Sequence, residues 1–374
     1  MQYTQETFNR RAYRLELKQN NLKCAGKSVR ISKLFSFVQG GCLHLSIFYG
    51  VHYEFMSQYL RLINSLLVTL GGTASPEAFP LEEAFEPEGK PPSRFEVKKG
   101  KITFTPAAFT FFQGMLSRSY IIGHIPNPDG HSFPIVLAIN ASSILVRDGG
   151  SLKPYIQPVI RETVLLPSKI PYGEDEVAQY HEYGLDMDRY EISDVTYRGI
   201  RSSAAKKVLD ILDDVKETVY LTFAKAISDD SYMVLVDGSL KPTKDVVAHG
   251  NWVGLHPNPQ LSAEEETVSL KLTENEIGLP FKLQGNGKGY FWHLRMLSDM
   301  RKGPEWGIVR VDNSLADGED MPSKIESISA AILSEKYPIH PAIKTAGWGL
   351  YPLITARIYL NTQTTSDTTI MKYF

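Results

Sequence analysis

Residues 232–240 read Tyr-Met-Val-Leu-Val-Asp-Gly-Ser-Leu, an apolar run from Tyr232 to Val236 that closes on Asp237-Gly238. A short run without polar alternation predicts a strand buried on both faces, as in the centre of a sheet covered by helices on each side. Just upstream, Val208, Ile211, Leu212, Val215, Val219, Phe223 and Ile227 recur at helical spacing and form one stripe. Lys206, Lys207, Asp213, Asp214 and Lys216 fall off that stripe, as on a helix laid against a sheet, and Ser228-Asp229-Asp230-Ser231 ends it. Helix followed by buried strand predicts an α/β fold.

Working outward, Phe133–Ile139 is an apolar run ending at Asn140-Ala141-Ser142-Ser143. Ile144–Val146 leads into Arg147-Asp148-Gly149-Gly150, a turn signal, and Val159–Leu166 returns. These predict three short strands in an antiparallel meander. Downstream, Trp252–Leu255 reads as a strand, and Tyr290–Met296 with Ile308–Val311 reads as a strand pair. Ile325, Ile328, Ile332 and Leu333 mark a last helix, followed by Tyr351-Pro352-Leu353-Ile354. Before residue 130, residues 57–70 have helical spacing and Gly71–Ser93 reads as a Pro-, Gly- and Glu-rich connector. Val97–Phe104 alternates as a hairpin and Pro106–Leu116 reads as a short aromatic helix. The expected organisation is an irregular N-terminal extension over 1–55, a helical and hairpin region over 56–130, and the main domain over 131–374.

The chain has 374 residues, 43% apolar and 22% charged, with a net charge of −2. These are globular values that exclude a uniformly basic nucleic-acid coat but not a local basic groove. Cys24 and Cys42 stand alone, which is neither a zinc spacing nor a disulfide framework. The apolar stretch Leu34–Tyr53 is interrupted by Gln39, Gly40, Gly41 and His44, a poor membrane span. The expectation is a cytoplasmic protein with no membrane segment.

A three-stranded meander, a helix and a central strand follow the order of the ribonuclease-H-like core, a mixed sheet flanked by helices. In that architecture carboxylates from the first strand, the helix and the fourth strand hold two divalent cations for phosphodiester cleavage. Asp237, at the end of the buried strand, has the placement of a metal-binding aspartate, although Asp-Gly-Ser is also ordinary turn chemistry. The first-strand position is Asn140, whose amide offers a metal one neutral oxygen and no charge. Asp148 is the substitute if the register differs, against an equally good hairpin-turn reading. For the helix, Glu217 lies about 180° from the apolar stripe at 100° per residue. Asp194 falls in phase if the helix begins near Ser193, and is preferred. His249, His256 and His293 have no second ligand at i+4 and read as structural or surface residues. Gly285-Asn286-Gly287-Lys288-Gly289 lacks phosphate-loop spacing and reads as a loop.

With these landmarks the chain resembles the NurA family of nucleases. The likeness rests on Ile139-Asn140-Ala141-Ser142, on Asp237-Gly238-Ser239-Leu240 followed by Val253-Gly254-Leu255, and on the late strand pair with Tyr351-Pro352-Leu353-Ile354 ahead of Ala356. It spans about residues 133–360. The resemblance implies a Mn²⁺- or Mg²⁺-dependent DNA end-processing nuclease, a homodimer docked on a HerA-like hexameric ATPase. Asp237 fits its metal-binding aspartate, Asn140 stands where it has its first aspartate, and Arg357 stands where it has a late histidine. The expected site is therefore Asp237, Asp194 and Glu217 as catalytic carboxylates, with Asp237, Asn140 and Asp194 at the metal. The alternative is a catalytically inactive scaffold or DNA-guiding subunit of the same fold.

Overall fold

The computed structural model describes residues 59–79, 109–126, 130, 132–168, 174–182, 185–192, 196–227, 232–238, 240, 251–257, 259, 261–282, 289–298, 303–314, 320–336 and 350–373. The expectations for residues 1–55, for the hairpin at 97–104, for the loop at 285–288, and for His249 and Asp194 lie outside them. The helices are α1 (59–69), α2 (Glu174–Glu182), α3 (Tyr197–Ala226), α4 (Ala263–Ser269), α5 (Met321–Ser334), α6 (Tyr351–Gln363) and α7 (Asp367–Tyr373). The strands are β1 (Thr73–Ala78), β2 (Phe111–Pro126), β3 (Ser132–Asp148), β4 (Ser151–Pro167), β5 (Met187–Tyr190) and β6 (Val234–Asp237), then β7 (Trp252–Pro257), β8 (Phe281–Lys282), β9 (Tyr290–Arg295) and β10 (Ile308–Asn313). No helix among the described residues is long and apolar enough to cross a membrane.

The strands form one mixed sheet in the order β5-β4-β3-β2-β6-β7-β10-β9-β8, with β1 also on β2. The meander β2-β3-β4 is antiparallel, whereas β6 runs parallel to β2 and β7 parallel to β6. Helix α3 makes the crossover from the meander to β6. Its N-cap Thr196 accepts a hydrogen bond from the Gly199 N–H, and the stripe read from the sequence is buried from Val208 to Phe223, with Ile227 partly buried at the C-cap.

Within the stretch Gly71–Ser93 expected as a connector, Thr73–Ala78 is strand β1 on β2, and two further expectations need correcting. Of the helix expected over Pro106–Leu116, the described residues 109–116 are not helical: from Phe111 the chain is the long strand β2. Phe133–Ile139 and Ile144–Val146 are one continuous strand, β3, and the turn comes only at Gly149-Gly150. Both errors have one cause. These strands are covered on both faces for most of their length, so no alternation distinguishes strand from short helix. The first strand of the meander is thus β2, in the region assigned to 56–130, and the described residues on either side of residue 130 share one sheet.

The two faces are distinct. On one, Val136 and Ala138 of β3 pack with Ile200, Ala204 and Val208 of α3, and Val234 and Val236 pack with Val219 and Phe223. On the other, Phe112, Leu235 and Val253 pack with Ile325 and Ile332 of α5 and Leu353 of α6, while Leu137 and Ile139 pack with α1 and Ile370 of α7.

Candidate functional site

Asp237 ends β6, flanked by β2 and β7. Alternation along β6 puts Val234 and Val236 against α3, so Leu235 and Asp237 face the α5–α6 side. Gly238 then turns the chain off the sheet at φ +95°, donating its N–H to the Leu255 carbonyl at 2.8 Å. A Cβ there would meet only the movable Met115 Cε at 2.6 Å, so it is the dihedral that calls for glycine.

Asp237 is 3% exposed, and a single guanidinium takes both its oxygens. Arg357 of α6 donates from Nε to Oδ2 at 2.5 Å and from Nη2 to Oδ1 at 2.6 Å. This is the two-pronged Arg–carboxylate geometry, stronger than a single bond. The preceding residue, Ala356, occupies the place next door. Gln113 of β2 pairs with Val236, which brings Gly114 beside Asp237 on the same face. A Cβ at Gly114 would sit 2.4 Å from the Ala356 Cβ. Consecutive residues of α6 therefore fill the two positions from which neighbouring parallel strands would have to offer a carboxylate pair. Removing the guanidinium strands a buried charge. Because Arg357 is itself half exposed, water recovers part of the loss, and Arg357→Ala should cost about 2 kcal/mol in urea unfolding, with Asp237→Asn in that background restoring most of it.

Asn140 lies elsewhere. It is fully buried on the α3 face, accepting from Ser117 Oγ at 2.6 Å and donating through Nδ2 to the Val208 carbonyl at 3.2 Å. Strand β2 separates β3 from β6, and Asn140 and Asp237 point to opposite faces. The expected pairing of Asn140 with Asp237 is overturned, because it took β3 for the first strand. Asn140 acts as a pin between sheet and helix. Glu217 is exposed on the outer side of α3, as its angle from the stripe predicts, and is not part of a site with Asp237. Asp148 sits exposed at the β3–β4 turn, paired with Lys153 at 2.5 Å. Among the described residues no three His, Cys, Asp or Glu side chains converge. Among the described residues the expected donors do not fit Mn²⁺ or Mg²⁺: Asp237 is neutralised by Arg357 and Asn140 is turned to the other layer.

A second polar group crosses β7, β10 and β9 in register. Arg310 stands between His256 and His293, and Asp312 follows two residues on. Asp312 accepts from Arg310 Nε at 2.8 Å and lies 3.3 Å from His256 Nε2. Burial raises the Asp312 carboxyl, but the His256 and Arg310 contacts outweigh it and hold it below the ordinary carboxylate range. The His293 Nδ1 lies 2.9 Å from Ser269 Oγ, and burial, then the Arg310 charge, push its pKa down to about 3. Both histidines are structural, as the sequence reading holds. The unfolded chain takes up this proton near pH 6.5 and the folded chain only near 3. Stability attributable to His293 is therefore complete above pH 6.5 and lost as pH falls through that window, by about 1.4 kcal/mol per unit. Urea melts from pH 7 to 4.5 should show His293→Gln flattening the decline by about 2–3 kcal/mol.

Neither models of known protein families nor the curated proteins contain a match to this chain. The sequence reading missed Gly114 and the part played by Ala356. The only signal was the Gln113-Gly114 dipeptide inside an aromatic run, read there as helix.

Proposed function

We propose that this chain is a ribonuclease-H-like protein that acts without cutting: a scaffold or DNA-guiding subunit working with a ring translocase. The fold part of this reading is supported by the order β4-β3-β2-β6-β7, with an antiparallel meander, a crossover helix and two further strands parallel to the first. The observation that carries the non-catalytic part is the bidentate Asp237–Arg357 pair, which puts a fixed guanidinium charge where a cation would have to bind. What remains of the likeness to NurA, in Asp237-Gly238-Ser239-Leu240, Val253-Gly254-Leu255 and the late strand pair, then implies DNA, a second copy of the chain and a HerA-like hexameric ATPase as partners.

The test is cleavage of linear DNA with Mn²⁺, comparing the parent chain with Asp237→Ala. The expected result is no metal-dependent cleavage by either protein. Cleavage by the parent that disappears with Asp237→Ala would overturn the reading and restore the second one, a Mn²⁺- or Mg²⁺-dependent nuclease. That alternative is favoured by Asp237 standing at the carboxyl end of a central parallel strand, where α/β sheets place ligands, and by the half exposure of Arg357.

A further inference from the structure

Helix α4 docks on β9 through a polar face. Among its described side chains the buried ones are Glu265 and Ser269, four residues apart on one side, whereas Val268 is partly exposed and Glu266 and Thr267 are exposed. The Glu265 carboxylate closes a capping box, accepting from the Ser262 N–H at 2.6 Å. Ser269 reaches across to β9, where its Oγ lies 2.9 Å from His293 Nδ1. A helix of seven residues does not hold itself together in water, so α4 depends on what it docks against. Just beyond it the chain is fastened again. Asn275 donates its N–H to the Arg295 carbonyl, and Gly278 to that of His293, each at 2.7 Å.

His293 is the group whose surroundings change if α4 lifts. It is 1% exposed and stands beside Phe281 and Phe291, whose ring centroids lie 6.1 and 5.8 Å from its own. The charged and titratable groups on this side are Arg310 and Asp312 of β10, His256 beyond them on β7, Arg295 on β9 itself and Glu265 on α4. Arg310 is its direct partner in register. Burial, then that positive charge, hold the docked imidazole neutral down to about pH 3, with Asp312 offsetting part of the effect. An imidazole released into water takes up a proton near pH 6.5. The docked state therefore binds fewer protons than the lifted one, and acid favours lifting.

We propose that α4 is an acid-released cover: below neutral pH it lifts from β9 while the sheet stays folded, and His293 takes up the proton. The opening constant rises by up to about tenfold per pH unit below 6.5, and by about 25-fold from pH 7 to pH 5. Ordinary carboxylates are still mostly ionised in that window, which leaves histidine as the titrating type. The inference does not depend on whether the chain binds or cleaves DNA.

Amide exchange at single-residue resolution in the full-length chain, corrected for the intrinsic rate at each pH, supplies the test. The Leu270 N–H, bonded to the Glu266 carbonyl at 3.1 Å, is expected to exchange faster than Gly278, Val309 and Val311 and to be insensitive to low urea. Its opening constant should be about 25-fold larger at pH 5 than at pH 7, and His293→Gln should bring that ratio below about threefold. Ser269→Ala loosens the docking and leaves the histidine, so it should speed Leu270 exchange by about fivefold or more at both pH values and preserve the ratio. Four results overturn the proposal: Leu270 exchanging only in step with Val309 and Val311 and with their urea dependence, an opening constant that does not change with pH, a ratio that survives His293→Gln, or Ser269→Ala leaving Leu270 exchange unchanged.

Discussion

Asn140→Asp is expected to destabilise the chain by about 3–5 kcal/mol at pH 7 and to confer no nuclease activity. The carboxylate would lose the Nδ2 donor and face the Val208 carbonyl, fully buried beneath α3, and Arg161, opposite it on β4, is already paired with Asp186 and Asp214. Burial raises the pKa of such a group, so the penalty is full only above that raised folded-state pKa, shrinks as pH falls below it, and is gone below the pKa of the unfolded carboxylate, near 4. Urea melts at pH 7 and pH 4.5 should therefore differ less from the parent at the lower pH. A variant as stable as the parent that also gains Mn²⁺-dependent cleavage would mean that residue 140 faces a metal site, contrary to the placement described.

Gly114→Leu is expected to cost about 3 kcal/mol or more, or to abolish folding, because the first atom added already collides with the Ala356 Cβ. Helix α6 would have to lift from β2, and with it the Arg357 fork on Asp237. Gly114→Ala asks for less room and gives a cleaner measurement: Ala356→Gly should recover at least about 1 kcal/mol in that background, a coupling expected only for residues in contact. Independent, additive effects in urea unfolding would show that α6 does not rest on this strand.

How far the residues alone could take the reading is clear from particular elements. The stripe from Val208 to Phe223 and the run Tyr232–Val236 are long or uniform enough for periodicity to decide, and helix α3 followed by β6 is what they form. The pair β9–β10 and helix α5 were legible for the same reason. Strand β2 was not. Phe109, Phe111 and Phe112 are buried on different faces, and an aromatic run covered on both sides carries no period of two. With β2 read as a helix, β3 becomes the first strand by default, and Asn140 inherits a role that its face of the sheet denies it.

The site follows the same division. Asp237 at the end of a buried strand, and Glu217 on the outer side of a helix, are local facts that pattern along the chain determines. The partner of Asp237 is 120 residues away, and the fit of Ala356 against Gly114 joins positions 242 apart in the chain. No local preference encodes such distances. Which carboxylate meets which charge depends on strand order, on which face each side chain takes, and on how closely a helix can approach a strand that has no Cβ. Those are properties of the packed sheet, and only the tertiary structure decided them.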